Sequence, residues 1–138
     1  MAVLEGVLDG RHAPVVPVPS DDLRERELLT TALRVGEDID DDIALVVPTS
    51  GTTGTPKGAM LSAAALIAGA SATHDRLGGP GNWLLALPAR HIAGIQVLVR
   101  SLQAGTVPAE IDISAGFDPD DLPAAAEPGA LQVVRFDD

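Results

Sequence analysis

Apolar positions along the chain fall into blocks of different texture. Ile43-Ala44-Leu45-Val46-Val47 is short, continuous and rich in β-branched residues, the pattern of a strand covered on both faces. Trp83-Leu84-Leu85-Ala86-Leu87 repeats that pattern. Two longer stretches read as helices. The first covers 63–77, with Ser62 able to cap it and Gly78-Gly79-Pro80 stopping it. The second runs from Ile92 to Ala104, with Gly105 just beyond its end. Thr106 to Ile113 supplies a third strand candidate. Strand, helix, strand, helix, strand at these spacings predicts right-handed crossovers, hence an α/β fold built as a partial parallel-sheet βαβαβ unit. The expected strands lie near 43–48, 83–88 and 106–112, all parallel.

The flanks are less regular. Residues 1–12 carry little pattern. Val15-Val16-Pro17-Val18 can be extended, but Pro14, Pro17 and Pro19 confine it to an edge or a linker. Ser20 looks like a helix cap, and Leu23, Leu28, Leu29, Ala32 and Leu33 form a loose stripe, so 21–34 reads as helix ended by Gly36. Beyond Asp118 the texture changes: Pro119, Pro123 and Pro128 punctuate an Ala-rich acidic stretch in which only Leu131 to Phe136 resembles a strand. The expected organisation is an N-terminal extended segment and helix (1–36), an α/β fragment (37–117) and an irregular Pro/Ala-rich tail (118–138).

Composition narrows the function. The 138 residues suit one domain, and 20 acidic against 9 basic side chains give a net charge of -11. That balance argues against nucleic acid and against an anionic membrane surface as partner. The 2% aromatic content argues against a base-stacking surface. With no cysteine there is no disulfide, thiolate zinc site or cysteine nucleophile. No apolar run approaches ~18 residues and no leader pattern opens the chain, so the expected setting is cytoplasmic. The acidic run Glu37-Asp38-Ile39-Asp40-Asp41-Asp42 offers Asp38, Asp40 and Asp42 as alternate calcium ligands but fails as a calcium loop, because the sixth and twelfth places counted from Asp38 hold Ile43 and Thr49 instead of glycine and glutamate. It reads as a solvated turn.

Eight of the nine basic residues are arginine. The single lysine, Lys57, sits in the most Gly/Thr-rich loop of the chain, Thr49-Ser50-Gly51-Thr52-Thr53-Gly54-Thr55-Pro56-Lys57-Gly58. Such a loop after a buried strand suits phosphate: glycines let the backbone approach an anion, while N–H groups, hydroxyls and an ammonium supply donors and charge. It is not the common NTPase loop G-x-x-x-x-G-K-[ST]. Pro56 replaces the second glycine, and Gly58 replaces the magnesium-binding hydroxyl.

The same ten residues match, at every defining position, the phosphate-loop signature [ST]-[SG]-G-[ST]-T-G-x-P-K-G of the acyl-adenylate-forming (AMP-binding) enzymes, and on them the chain resembles that family. Leu87-Pro88-Ala89-Arg90-His91-Ile92-Ala93-Gly94 is similar to the family's next element, Leu-Pro-x-x-His-x-x-Gly. Within the family, the segments 42–47, 78–88 and 91–102 look most like the o-succinylbenzoate–CoA ligases of menaquinone biosynthesis. Arg90 departs from them, standing where a second histidine is usual.

The resemblance covers roughly residues 30–118 and carries several implications. Thr49, Ser50, Gly51, Thr52, Thr53, Gly54, Thr55 and Lys57 would bind ATP, and His91 would be the catalytic residue beside the acyl pocket. ATP, Mg2+ and CoA would be the cofactors, and a small carboxylic acid the substrate. No metal ligand is assigned, and His12 and His74 receive no role. The family's later motifs have no counterpart here: a Tyr-Gly-x-Thr-Glu segment, a ribose-binding aspartate and a C-terminal lysine. The expectation is therefore a truncated or partial product, inactive alone, with a bare sheet edge that favours self-association. The alternatives are a non-catalytic phosphate- or nucleotide-binding module, or a fragment of another acyl-CoA synthetase or adenylation domain.

Overall fold

The computed structural model describes residues 1–49, 54–112, 116, 118 and 120. Its elements in chain order are α1 (Ala2–Leu8), α2 (Leu23–Ala32), β1 (Ile43–Thr49), β2 (Lys57–Ser62), α3 (Ala63–Leu77), β3 (Leu84–Leu85), α4 (Ile92–Ala104) and β4 (Ala109–Glu110). The α/β class stands. Both long helices have the expected bounds, because their end signals are strong and local. The Ser62 hydroxyl accepts from the Ala65 N–H at 3.1 Å to open α3, and Gly78 and Gly105 close α3 and α4 in left-handed conformations.

The expected all-parallel sheet is corrected. β1 pairs antiparallel with β2, from Ile43 opposite Ser62 to Thr49 opposite Lys57, and neither strand joins β3 or β4 among the described residues. The expected stretches 83–88 and 106–112 contract to β3 and β4, two residues each, which do pair in parallel. The candidate strand 131–136, and the tail apart from residues 118 and 120, lie outside the described residues.

The hairpin has a physical reason. In 57–62, Ala59 and Leu61 alternate with more exposed Gly58 and Met60, a period of two. That pattern is easily mistaken for a helix approach because the Ser62 cap follows at once. On its other edge β1 takes one parallel bridge from Val15, whose N–H donates to Ala44 O at 3.1 Å and whose carbonyl accepts from the Val46 N–H at 3.0 Å. The proline-flanked segment is therefore extended against β1, as an edge.

Helix α1 was not legible in the sequence. Its Leu4, Val7 and Leu8 lie at helical spacing and meet one core with Ala44, Leu45 and Val47 of β1, Leu66 and Ala70 of α3, and Ile95 and Val99 of α4. Full burial of each larger side chain stabilises by about 1.5–3 kcal/mol. Helix α2 is shorter than the expected 21–34. Asp22, not Ser20, is its cap, accepting from the Glu25 N–H at 2.9 Å.

A second cluster sits at the far ends of the helix pair. The Arg100 guanidinium carbon lies 4.7 Å from the Trp83 ring centre, and the His74 ring lies 5.9 Å from the same indole. Burial pulls the Arg100 guanidinium below its ordinary value.

Candidate functional site

The phosphate loop is the connection of the β1–β2 hairpin. Thr49 and Lys57 are opposed at its base, and the Thr49 hydroxyl donates to the Lys57 carbonyl at 3.2 Å, so both ends of the loop are clamped by pairing. The loop leaves the C-terminal end of a strand, where open α/β sheets bind ligands. It runs into a strand and not straight into a helix, so α3 does not aim its N-terminus at the loop as it would in an NTPase loop. Donors must come from the loop itself. Gly54 has φ +79°, a left-handed turn that favours glycine. Ser50, Gly51, Thr52 and Thr53 lie outside the described residues.

His91 arrives from the other motif. It is the N-cap residue of α4, with its N–H donating to Pro88 O at 3.0 Å and its carbonyl accepting from the Ile95 N–H at 2.9 Å. Its side chain makes no cap hydrogen bond, so the exposed ring is left available. The motif glycine explains this seat. A Cβ on Gly94 would overlap the Pro88 carbonyl and come within 3.1 Å of the Ala89 Cα, so only a glycine lets the first turn of α4 close onto the 88–91 loop.

A cavity of about 710 Å³ joins the two motifs. Thr49, Gly54 and Thr55 from the phosphate loop line it together with His91, across more than thirty residues of sequence. Its apolar floor is Val47, Ala59 and Leu61 of the hairpin with Ile92 of α4. Lys57 does not line it. That lysine stands exposed at the hairpin base, one residue beyond Pro56, which does. Glu25 and Leu29 of α2 form a wall that sequence reasoning did not assign to the site. Their four-residue spacing, which puts both on one helix face, was the available signal.

Hydroxyls and a nearby ammonium suit the oxygens of a phosphate group. Among the described residues no cluster of three or more His, Asp or Glu is placed to hold a metal ion.

The family model of the AMP-binding enzymes matches residues 6–125. The chain belongs to that family. The match extends past both ends of the 30–118 stretch that the motifs alone suggested. A Mycobacterium tuberculosis protein named "Probable 2-succinylbenzoate--CoA ligase" is 62% identical over 125 residues, covering 91% of this chain and 32% of its own length. An o-succinylbenzoate CoA synthetase from Bacillus subtilis, solved with the acyl-adenylate intermediate OSB-AMP, is similar at 31% identity and TM-score 0.51 over 59% of this chain and 17% of that one. An amide bond synthetase from Marinactinospora thermotolerans matches at 30% identity and TM-score 0.53 over 78% of this chain and 19% of that one. The chain thus spans about a third of the length of the curated relatives it matches most extensively. Among the described residues no helix is long and apolar enough to cross a membrane.

Proposed function

We propose that the chain is the phosphate-loop portion of an AMP-forming acid–CoA ligase, acting in the whole enzyme on o-succinylbenzoate. One observation carries the reading: the phosphate loop and the Leu-Pro-x-x-His-x-x-Gly histidine, far apart in sequence, line a single cavity. The 62% identity to the M. tuberculosis protein and the likeness to a synthetase solved with OSB-AMP support the substrate.

In the complete reaction the substrate carboxylate attacks the α-phosphorus of ATP, and pyrophosphate leaves. The CoA thiol then attacks the acyl-adenylate carbonyl and AMP leaves. Thr49, Ser50, Thr52, Thr53 and Thr55 offer hydroxyls to the β- and γ-phosphates, and the backbone at Gly51 and Gly54 allows close approach. Lys57, exposed at the hairpin base, would offset part of their charge. Mg2+ on the phosphates would neutralise further charge as pyrophosphate departs. His91, free of capping duty, would serve the acyl side. Downstream chain would supply the remaining nucleotide and CoA contacts, in a cytoplasmic enzyme of menaquinone biosynthesis. The outer edge of β4, unpaired among the described residues, and Val107, 82% exposed, support self-association of the chain alone.

The test is to complete the chain with the downstream two-thirds of its M. tuberculosis relative. Both half-reactions are then measured with o-succinylbenzoate. Lys57→Ala should slow ATP–pyrophosphate exchange about ten- to a hundredfold, the value of a charged hydrogen bond. Thioester formation from preformed acyl-adenylate should change little. Equal slowing of both steps, or no o-succinylbenzoate-dependent exchange at all, overturns the reading.

A further inference from the structure

The cavity beside the phosphate loop carries a charge of the wrong sign for the ligand it would hold. Among the described residues, the one side chain with a fixed charge that lines it is Glu25; Lys57 lies outside the lining. The position of Glu25 is set by the start of α2, where the Asp22 carboxylate accepts from its N–H at 2.9 Å. One turn on, Leu29 is only 5% exposed and lines the same wall, which fixes the face that the pair presents. The Glu25 side chain is exposed, and its carboxylate makes no hydrogen bond or ion pair within the described residues.

We propose that Glu25 is a specificity-determining residue that makes this cleft favour the divalent-cation complex of a polyphosphate over the metal-free polyanion. The proposal rests on the cleft being a phosphate site. A sphere of about 710 Å³ is roughly 11 Å across, well inside the ~30 Å Debye length at 0.01 M salt. At low ionic strength a metal-free polyanion seated on Thr49 and Thr55 therefore feels the exposed Glu25 carboxylate more strongly than its cation complex, whose net negative charge is smaller. Cation and polyphosphate are then thermodynamically coupled: each binds better with the other present, and Glu25 sets part of that coupling.

The test needs no catalysis. The chain is titrated calorimetrically with tripolyphosphate, with and without Mg2+, and the ratio of the two dissociation constants is taken. Glu25→Gln should tighten metal-free binding about two- to fivefold at low ionic strength and tighten the less negative Mg2+ complex by a smaller factor, so the ratio shrinks. Glu27→Gln, on the same helix and off the cavity lining, should leave the ratio as it is. A general disturbance of α2 would move both affinities together, which separates it from the charge effect. Binding with an unchanged ratio in Glu25→Gln overturns this inference alone. Absence of tripolyphosphate binding under both conditions overturns the phosphate reading, and this inference with it.

Discussion

The two walls of the cleft are built differently. On one side, α3 and α4 pack against each other and against β1, with Leu66 at 1% and Val99 at 0% exposure. On the other, α2 buries only Leu29 and holds Leu23 and Leu28 at 69% and 53% exposure. Leu29 is not part of the main core cluster. His91 rides on the first wall, Glu25 on the second. A site between a well-packed scaffold and a lightly anchored helix can hold its histidine fixed while the opposite wall opens at low cost.

The sharpest way to break this comparison is to hollow each wall in turn. Leu66→Ala should cost about 2–5 kcal/mol and unfold the chain as a unit. Leu29→Ala should remove amide protection from α2 while α3 and α4 keep theirs, as read by hydrogen exchange. Equal loss of protection everywhere would show that α2 is part of the same cooperative core.

Next in size is Gly94→Ala. The added methyl overlaps the Pro88 carbonyl, so the 88–91 loop must shift, at about 1–3 kcal/mol. His91 backbone amide resonances should move, and those of Thr49 and Lys57 should not. Caps come third. Ser62→Ala should cost about 1 kcal/mol of global stability, whereas Asp22→Ala should fray α2 alone.

The smallest effect is expected at the exposed Arg34–Glu37 pair after α2, where the guanidinium hydrogen bond holds the Glu37 carboxyl below its ordinary range. A lowered carboxyl stabilises the fold above its unfolded value, and that contribution fades as pH falls through the folded value. Glu37→Gln should therefore match wild type in strong acid and fall only slightly behind near neutrality, because the pair is solvent-screened.

The two walls also differ in how far they could be read from the chain. Helices α3 and α4 carry their own punctuation, a serine cap and two terminal glycines, and their bounds follow from local chemistry. The phosphate loop and His91 were visible as motifs. Their meeting in one cavity was not, since it depends on the hairpin and on Gly94 closing α4 against Pro88. The hairpin was missed because Ala59 and Leu61 give only two inward positions before Ser62 begins a helix. Helix α1 was missed because seven residues carry too little periodicity, and its burial is imposed by β1 and α3. Glu25 was hidden in the weakest amphipathic stretch, where face and partner are decided by tertiary packing.

The indole of Trp83 has an optical consequence. It is the chain's single tryptophan and there is no tyrosine, so apart from the weak emission of Phe117 and Phe136 the near-ultraviolet emission of this molecule has one source. That source lies under Arg100 and beside His74, at the junction of α3 and α4. Fluorescence will therefore report the disruption of the packed wall and stay silent while α2 swings. An emission melt and a far-ultraviolet dichroism melt of the same sample should separate whenever the lightly held helix leaves first.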